Sequence, residues 1–151
     1  MKYRGNTAFG EALALQVAEY VRSLHWDIDL VIPMPLGRKR MQERGYNQVA
    51  LVAEPLAYAV GWEYAPHALW KARETRSQVG LNVAQRKENV VNAYQADSAV
   101  VAQKTVLLMD DVATTGSTVS SSTKDLLDAG ARDVYVLTIA RALSHHDLNR
   151  V

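Results

Sequence analysis

Val106-Leu107-Leu108-Met109-Asp110-Asp111-Val112-Ala113-Thr114-Thr115-Gly116-Ser117-Thr118 is the stretch on which the reading of this chain turns. Its four leading apolar residues suit a strand buried on both faces. Two adjacent carboxylates follow where that strand ends. Small hydroxyl residues surround a glycine, and a helical pattern then runs from Ser117 to Ala129, closed by Gly130. Backbone N–H groups of residues 114–118 would crown that helix, with the positive end of its dipole behind them. This is the geometry that takes up a phosphate. Gly116 lets a backbone approach closely, and the hydroxyls add donors. The carboxylates repel each other and a phosphate, so they need a partner. Vicinal hydroxyls donating to them would supply one, and a divalent cation nearby would help. A phosphorylated ribose brings both phosphate and hydroxyls. Taken separately, Asp-Asp reads as a cap and turn, and Thr-Thr-Gly-Ser-Thr as an N-cap. The order of the thirteen residues favours the sugar-phosphate site.

Outward from this segment the chain alternates strands and helices. Phe9, Leu13, Val17, Tyr20 and Leu24 recur at helical spacing and predict an amphipathic helix over residues 9–24. Leu30-Val31-Ile32, closed by Pro33, reads as a buried strand, Thr105 to Met109 as a central strand, and Val134 to Ala140 as a third. Tyr46 to Val60 is helical in pattern, with Pro55 expected to kink it or mark a restart. Residues 67–92 show little period and read as a long loop or hairpin. The alternation predicts a single domain over residues 1–151, a three-layer α/β/α arrangement around a central, mainly parallel sheet. In such sheets ligands bind beyond the carboxyl ends of the strands.

Bulk properties narrow the classes. The 151 residues suit one domain, 48% hydrophobic and 22% charged, as in an ordinary globular protein. Zero cysteine excludes disulfides and thiolate-held metals. A net charge of +1 gives no global pull towards nucleic acid or anionic membrane. No apolar run reaches the roughly 18 residues of a membrane span, and the N-terminus is a poor signal peptide, so a cytoplasmic location is expected. His25, His67, His145 and His146 show no metal-ligand spacing, and Trp26, Trp62, Trp70, Tyr58 and Tyr64 read as core or interface rather than base-stacking platforms.

The central segment resembles the 5-phosphoribosyl-1-pyrophosphate (PRPP) motif of type I phosphoribosyltransferases: four apolar residues, two acids, two further positions, then Thr-Thr-Gly-x-Thr. Ala113 stands where a larger aliphatic is common. The rest of the chain is similar to the ComF-type, competence-associated branch. Its cues are Lys2-Tyr3-Arg4-Gly5, Pro33-Met34-Pro35-Leu36, Arg40, Arg44-Gly45-Tyr46-Asn47-Gln48, Arg73, Thr75, Gln78, Leu81, Arg86, Asn89-Val90 and Ala93-Tyr94. That branch often carries an N-terminal cysteine-rich zinc ribbon, which a cysteine-free sequence cannot supply.

The resemblance implies the type I phosphoribosyltransferase fold and a set of roles. Asp110 and Asp111 are the candidate catalytic pair and would take the ribose hydroxyls. With Val112 and Ala113 they would lead into Thr114, Thr115, Gly116, Ser117 and Thr118, cradling the 5′-phosphate. Met34, Pro35, Leu36 and Gly37 would form the pyrophosphate loop. Arg40, Arg44, Arg73, Arg76 and Arg86 would be loop and lid cations, the lid spanning residues 71–89. Mg²⁺ would arrive with PRPP, with no direct protein ligands expected. The implied reaction displaces pyrophosphate at ribose C1 with a nitrogenous acceptor. The alternative is a non-catalytic PRPP- or nucleotide-binding module acting in competence or DNA uptake. A solvated basic face and nucleic-acid contact remain further readings of the Arg38–Arg44 run, and homo-oligomerisation stays open.

Overall fold

The structure, a computed structural model, describes residues 4–75, 79–113 and 116–141. Four parallel strands form the central sheet in the order β2-β1-β5-β6: β1 (Leu30–Pro33), β2 (Glu63–Tyr64), β5 (Thr105–Ala113) and β6 (Asp133–Arg141). Leu30 to Pro33 pair with Val106 to Met109, and β5 pairs with β6 from Thr105↔Asp133 to Ala113↔Arg141. Strand β5 is central, as its apolar run predicts, and continues past the acids to Ala113. An antiparallel pair, β3 (Leu69–Lys71) and β4 (Tyr94–Ala96), stands beside this sheet.

Alternation along the strands feeds two cores. Val31, Leu107 and Met109 face α1 (Arg4–Ser23) and α3 (Ala50–Val60). Leu30, Ile32, Val106 and Leu108 face α6 (Ser117–Asp128), the β3–β4 pair and the short α5 (Ser98–Val101). The result is helices on both faces of a mostly parallel sheet, the three layers that strand–helix alternation dictates.

Helix α1 forms where expected but turns a different side inward. Phe9 is 71% and Tyr20 56% exposed, whereas Gly10, Ala14, Ala18 and Val21 are buried with Leu13 and Val17 beside them. The buried stripe is one of small residues because α3 lies very close. A Cβ on Gly10 would stand 2.5 Å from the Leu51 carbonyl oxygen. That carbonyl lies four residues before Pro55, whose missing N–H cannot bond it within the helix. Pro55 is thus carried inside α3 without ending it, and the helix starts at Ala50 rather than Tyr46.

Two further elements depart from the sequence pattern. The basic run Arg38–Arg44 is itself a helix, α2, closed by Gly45 at φ 78°. The span read as an aperiodic loop contains α4 (Val83–Val90), started by a reciprocal capping box between Asn82 and Gln85. Too short to show an apolar stripe, α4 is legible through its cap.

Candidate functional site

Beyond the carboxyl ends of β1 and β5 lies a cavity of about 480 Å³. Its walls come from five places: the loop Met34–Gly37, α2 with the turn after it, the end of β3 with residues 74 and 75, Tyr94 of β4, and the acids of β5 with Thr118. These chain segments, distant in sequence, meet at the position where parallel α/β sheets bind ligands.

The acids sit at the floor. In strand register with Val106 and Leu108, Asp110 continues the face turned towards α6, and it is only 9% exposed. Its Oδ1 accepts the N–H of Asp111 at 2.8 Å. Burial raises its carboxyl to about 6, opposed by that N–H and reinforced by the Asp111 charge. A carboxylate so desolvated gains from any hydroxyl that donates to it. Tyr94 lies against the same floor, its phenol raised to about 12 chiefly by burial and next by the Asp110 charge.

Gly116 precedes α6 with φ 76°, a left-handed conformation natural to glycine, and among the described residues a Cβ there would meet nothing within 4 Å. The glycine is required for its backbone angle, and not for want of space among the described residues. Ser117 and Thr118 form the first helical positions, and Thr118 lines the cavity. Thr114, Thr115 and Arg76, together with the side chains of Val112 and Ala113, lie outside the described residues.

The loop after β1 has few N–H groups to offer. That of Met34 is donated to the Met109 carbonyl at 2.7 Å, continuing the ladder, and Pro35 has none. Those of Leu36, Gly37 and Arg38 remain, and Arg38 donates its own to Glu74 Oε1 at 2.7 Å. Asn47 braces the loop: its Nδ2 donates to the Met34 carbonyl at 2.9 Å while its Oδ1 accepts from the N–H of Val49 at 3.1 Å.

Among the expected cations, Arg40 and Arg44 line the cavity with Lys39 and Lys71. Burial pushes the Lys71 ammonium below its ordinary value, opposed by Glu74 and reinforced by Arg40 and Arg73. Arg73 is placed elsewhere. Its Nη2 donates to the carbonyls of Asn89 at 3.0 Å and Val91 at 2.7 Å, satisfying the end of α4. Neither Arg73 nor Arg86 lines the cavity. Lys71, read from the sequence as a lid cation, is therefore part of the cavity, as are residues to which sequence reasoning gave no site role, among them Asn47, Glu74 and Tyr94. Their only signal was membership of polar or family-like runs. A second cavity of about 550 Å³, between α1 and α3, is lined by Thr7, Glu11, Leu51, Glu54, Pro55, Tyr58 and Ala59, remote from the β5 acids. No described helix is long and apolar enough to cross a membrane.

No protein-family model matches the chain. Among curated relatives, the DNA utilization protein YhgH of Escherichia coli K12 is 33% identical over 138 residues, covering 91% of this chain and 60% of the relative. Competence protein F of Haemophilus influenzae is 32% identical over 116 residues, covering 76% and 51%. The chain thus spans between half and two thirds of the length of these relatives. Among solved structures, the glutamine PRPP amidotransferase of B. subtilis superposes with a TM-score of 0.59 at 24% identity, over 93% of this chain and 27% of that one. A hypoxanthine phosphoribosyltransferase of Staphylococcus aureus gives 0.54 at 12% identity, over 89% and 64%.

Proposed function

Since the chain belongs to the ComF-type branch of the type I phosphoribosyltransferase family, we propose that its cavity binds PRPP. The observation that carries this reading is the convergence, in one cavity, of an acid pair with Asp110 buried, the start of α6 and the loop after β1 flanked by cations. In this reading Asp110 and Asp111 accept the ribose hydroxyls. Gly116, Ser117 and Thr118 face the 5′-phosphate. The N–H groups of Leu36 and Gly37, with Arg40, Arg44 and Lys71, face pyrophosphate. Among the described residues no three His, Cys, Asp or Glu side chains form a metal cluster. The two acids offer oxygen donors suited to a hard cation, so Mg²⁺ would be held mainly by PRPP oxygens with the acids nearby. Bound there, it would neutralise charge developing on the departing pyrophosphate. The protein's own contribution would be positioning and fixed charge, with no covalent nucleophile.

Displacement of pyrophosphate at C1 by a nitrogenous acceptor is the activity such a site supports. The names of the relatives, DNA utilization and competence, favour a second reading in which PRPP or a nucleotide is bound without turnover. The test is calorimetric titration with PRPP and with ribose-5-phosphate, with and without Mg²⁺, followed by a screen of bases for pyrophosphate release. Saturable binding of both sugars is expected, and binding of neither would overturn the assignment. Amide exchange over residues 79–89 separates the readings. Enzyme action predicts slower exchange with PRPP and Mg²⁺, and unchanged exchange with no pyrophosphate release favours the binding module.

A further inference from the structure

The loop after β1 is already engaged by a negative charge. Glu74 Oε1 accepts the N–H of Arg38 at 2.7 Å. A Cβ on Gly37 would stand 2.6 Å from Glu74 Oε2 and 3.0 Å from Oε1. Both carboxylate oxygens are therefore pressed onto the backbone of residues 37 and 38, and a residue larger than glycine at position 37 would push them away. Glu74 comes from the stretch between β3 and α4, 36 residues from Arg38, so the contact ties two walls of the cavity together. Glu74 lines that cavity along with Gly37, Lys39, Arg40, Arg44 and Lys71. Among the described residues, the ion pairs are Lys124 with Asp128 and Arg132 with Asp29. Among the described residues the Glu74 carboxylate thus makes no ion pair and sits on a backbone N–H within a basic rim.

We propose that Glu74 is an intramolecular anion that closes the loop after β1 in the ligand-free chain and that pyrophosphate must displace. This rests on the assignment of that loop to pyrophosphate. A carboxylate pressed against residues 37 and 38 and a pyrophosphate on the N–H groups of Leu36 and Gly37 cannot lie side by side, because the two anions repel each other at contact distance. Entry of pyrophosphate swings residues 72–75 away from Gly37. The departure of Glu74 leaves Lys71 without the opposing charge of that carboxylate and free to meet the incoming anion. Ribose-5-phosphate, with no pyrophosphate, leaves the contact closed. Glu74 is thereby a specificity-determining residue: it lowers affinity for the pyrophosphate-bearing ligand by the fraction of chains in which the loop is open.

The experiment compares the parent chain with Glu74→Gln and Glu74→Ala, all checked for fold by circular dichroism. Each is titrated calorimetrically with inorganic pyrophosphate plus Mg²⁺ and with ribose-5-phosphate, and amide exchange at Arg38 is followed without ligand. Pyrophosphate should bind about 10-fold more tightly to the Ala variant, with the Gln variant between it and the parent, since a charge-assisted hydrogen bond is lost. Ribose-5-phosphate affinity should stay within about 2-fold of the parent. Exchange at Arg38 should quicken in the Ala variant. Unchanged or weaker pyrophosphate binding in both variants, with ribose-5-phosphate still bound, overturns the latch and leaves the PRPP assignment standing. If the parent binds neither pyrophosphate nor ribose-5-phosphate, that assignment fails and the Arg38 amide decides the latch: faster exchange in the Ala variant supports it, unchanged exchange overturns it.

Discussion

Asp110→Asn is expected to stabilise the chain while weakening its ligand, and the two effects can be worked from one buried carboxyl. Burial raises Asp110 from 3.8 to about 6, a difference of about 2 units, each worth about 1.4 kcal/mol. The ceiling is therefore about 3 kcal/mol. The mouth of the cavity leaves the group partly screened, so about 1–2 kcal/mol is the working figure. The sign follows from proton uptake. Between about pH 4 and pH 6 the folded chain holds a proton on Asp110 that the unfolded chain has released, so stability falls as pH rises through that window. Below it both states are protonated and the cost vanishes; above it the cost is complete. Asn retains an Oδ1 acceptor for the Asp111 N–H and removes the charge. Its melting temperature at pH 7.5 should exceed the parent's by about 3–6 °C for a chain of this size, and the gap should close towards pH 4. PRPP affinity should fall about 10- to 100-fold in the same variant, because a charge-assisted bond to ribose becomes neutral. Calorimetric melts at pH 4.0, 5.0, 6.0 and 7.5 with parallel titrations measure both. A gap that does not change with pH, or an Asn variant that melts lower at pH 7.5, refutes the desolvation argument.

Three other substitutions test separate parts of the structure. Gly116→Val forces a branched residue to φ 76°, costing about 1–2 kcal/mol locally; thermal protection by phosphate or ribose-5-phosphate should disappear with the circular dichroism unchanged, and full protection would refute the phosphate assignment. Gly10→Val drives a side chain into the Leu51 carbonyl and should cost about 1–3 kcal/mol by chemical denaturation, whereas an unchanged midpoint would show that α1 can move off α3 freely. Arg73→Ala removes both bonds to the end of α4; amide exchange over residues 83–91 should quicken in the ligand-free chain, and unchanged exchange would return Arg73 to the set of free lid cations.

The part of the molecule legible from residue pattern alone is the part where local pattern and tertiary demand coincide. The apolar runs before Pro33 and before Asp110 are buried on both faces, so they could only be central parallel strands. The segment from Val106 to Thr118 carries strand, acids, glycine and helix start in one continuous piece, and its chemistry needs no distant residue to be read. Tertiary structure decided the rest. The inward face of α1 was set by the nearness of α3, which selects Gly10, Ala14 and Ala18 over the larger Phe9 and Tyr20, a preference that counting apolar residues inverts. The place of each arginine was decided by the packing around it: Arg73 on the carbonyls of Asn89 and Val91, Arg40 and Arg44 at the cavity. A basic side chain carries no periodic signal, so charge runs do not say which member faces a site. Glu74 is the extreme case. Its place against Gly37 and Arg38 joins residues 36 positions apart, and only the packing of the β3–β4 pair beside β1 brings them together.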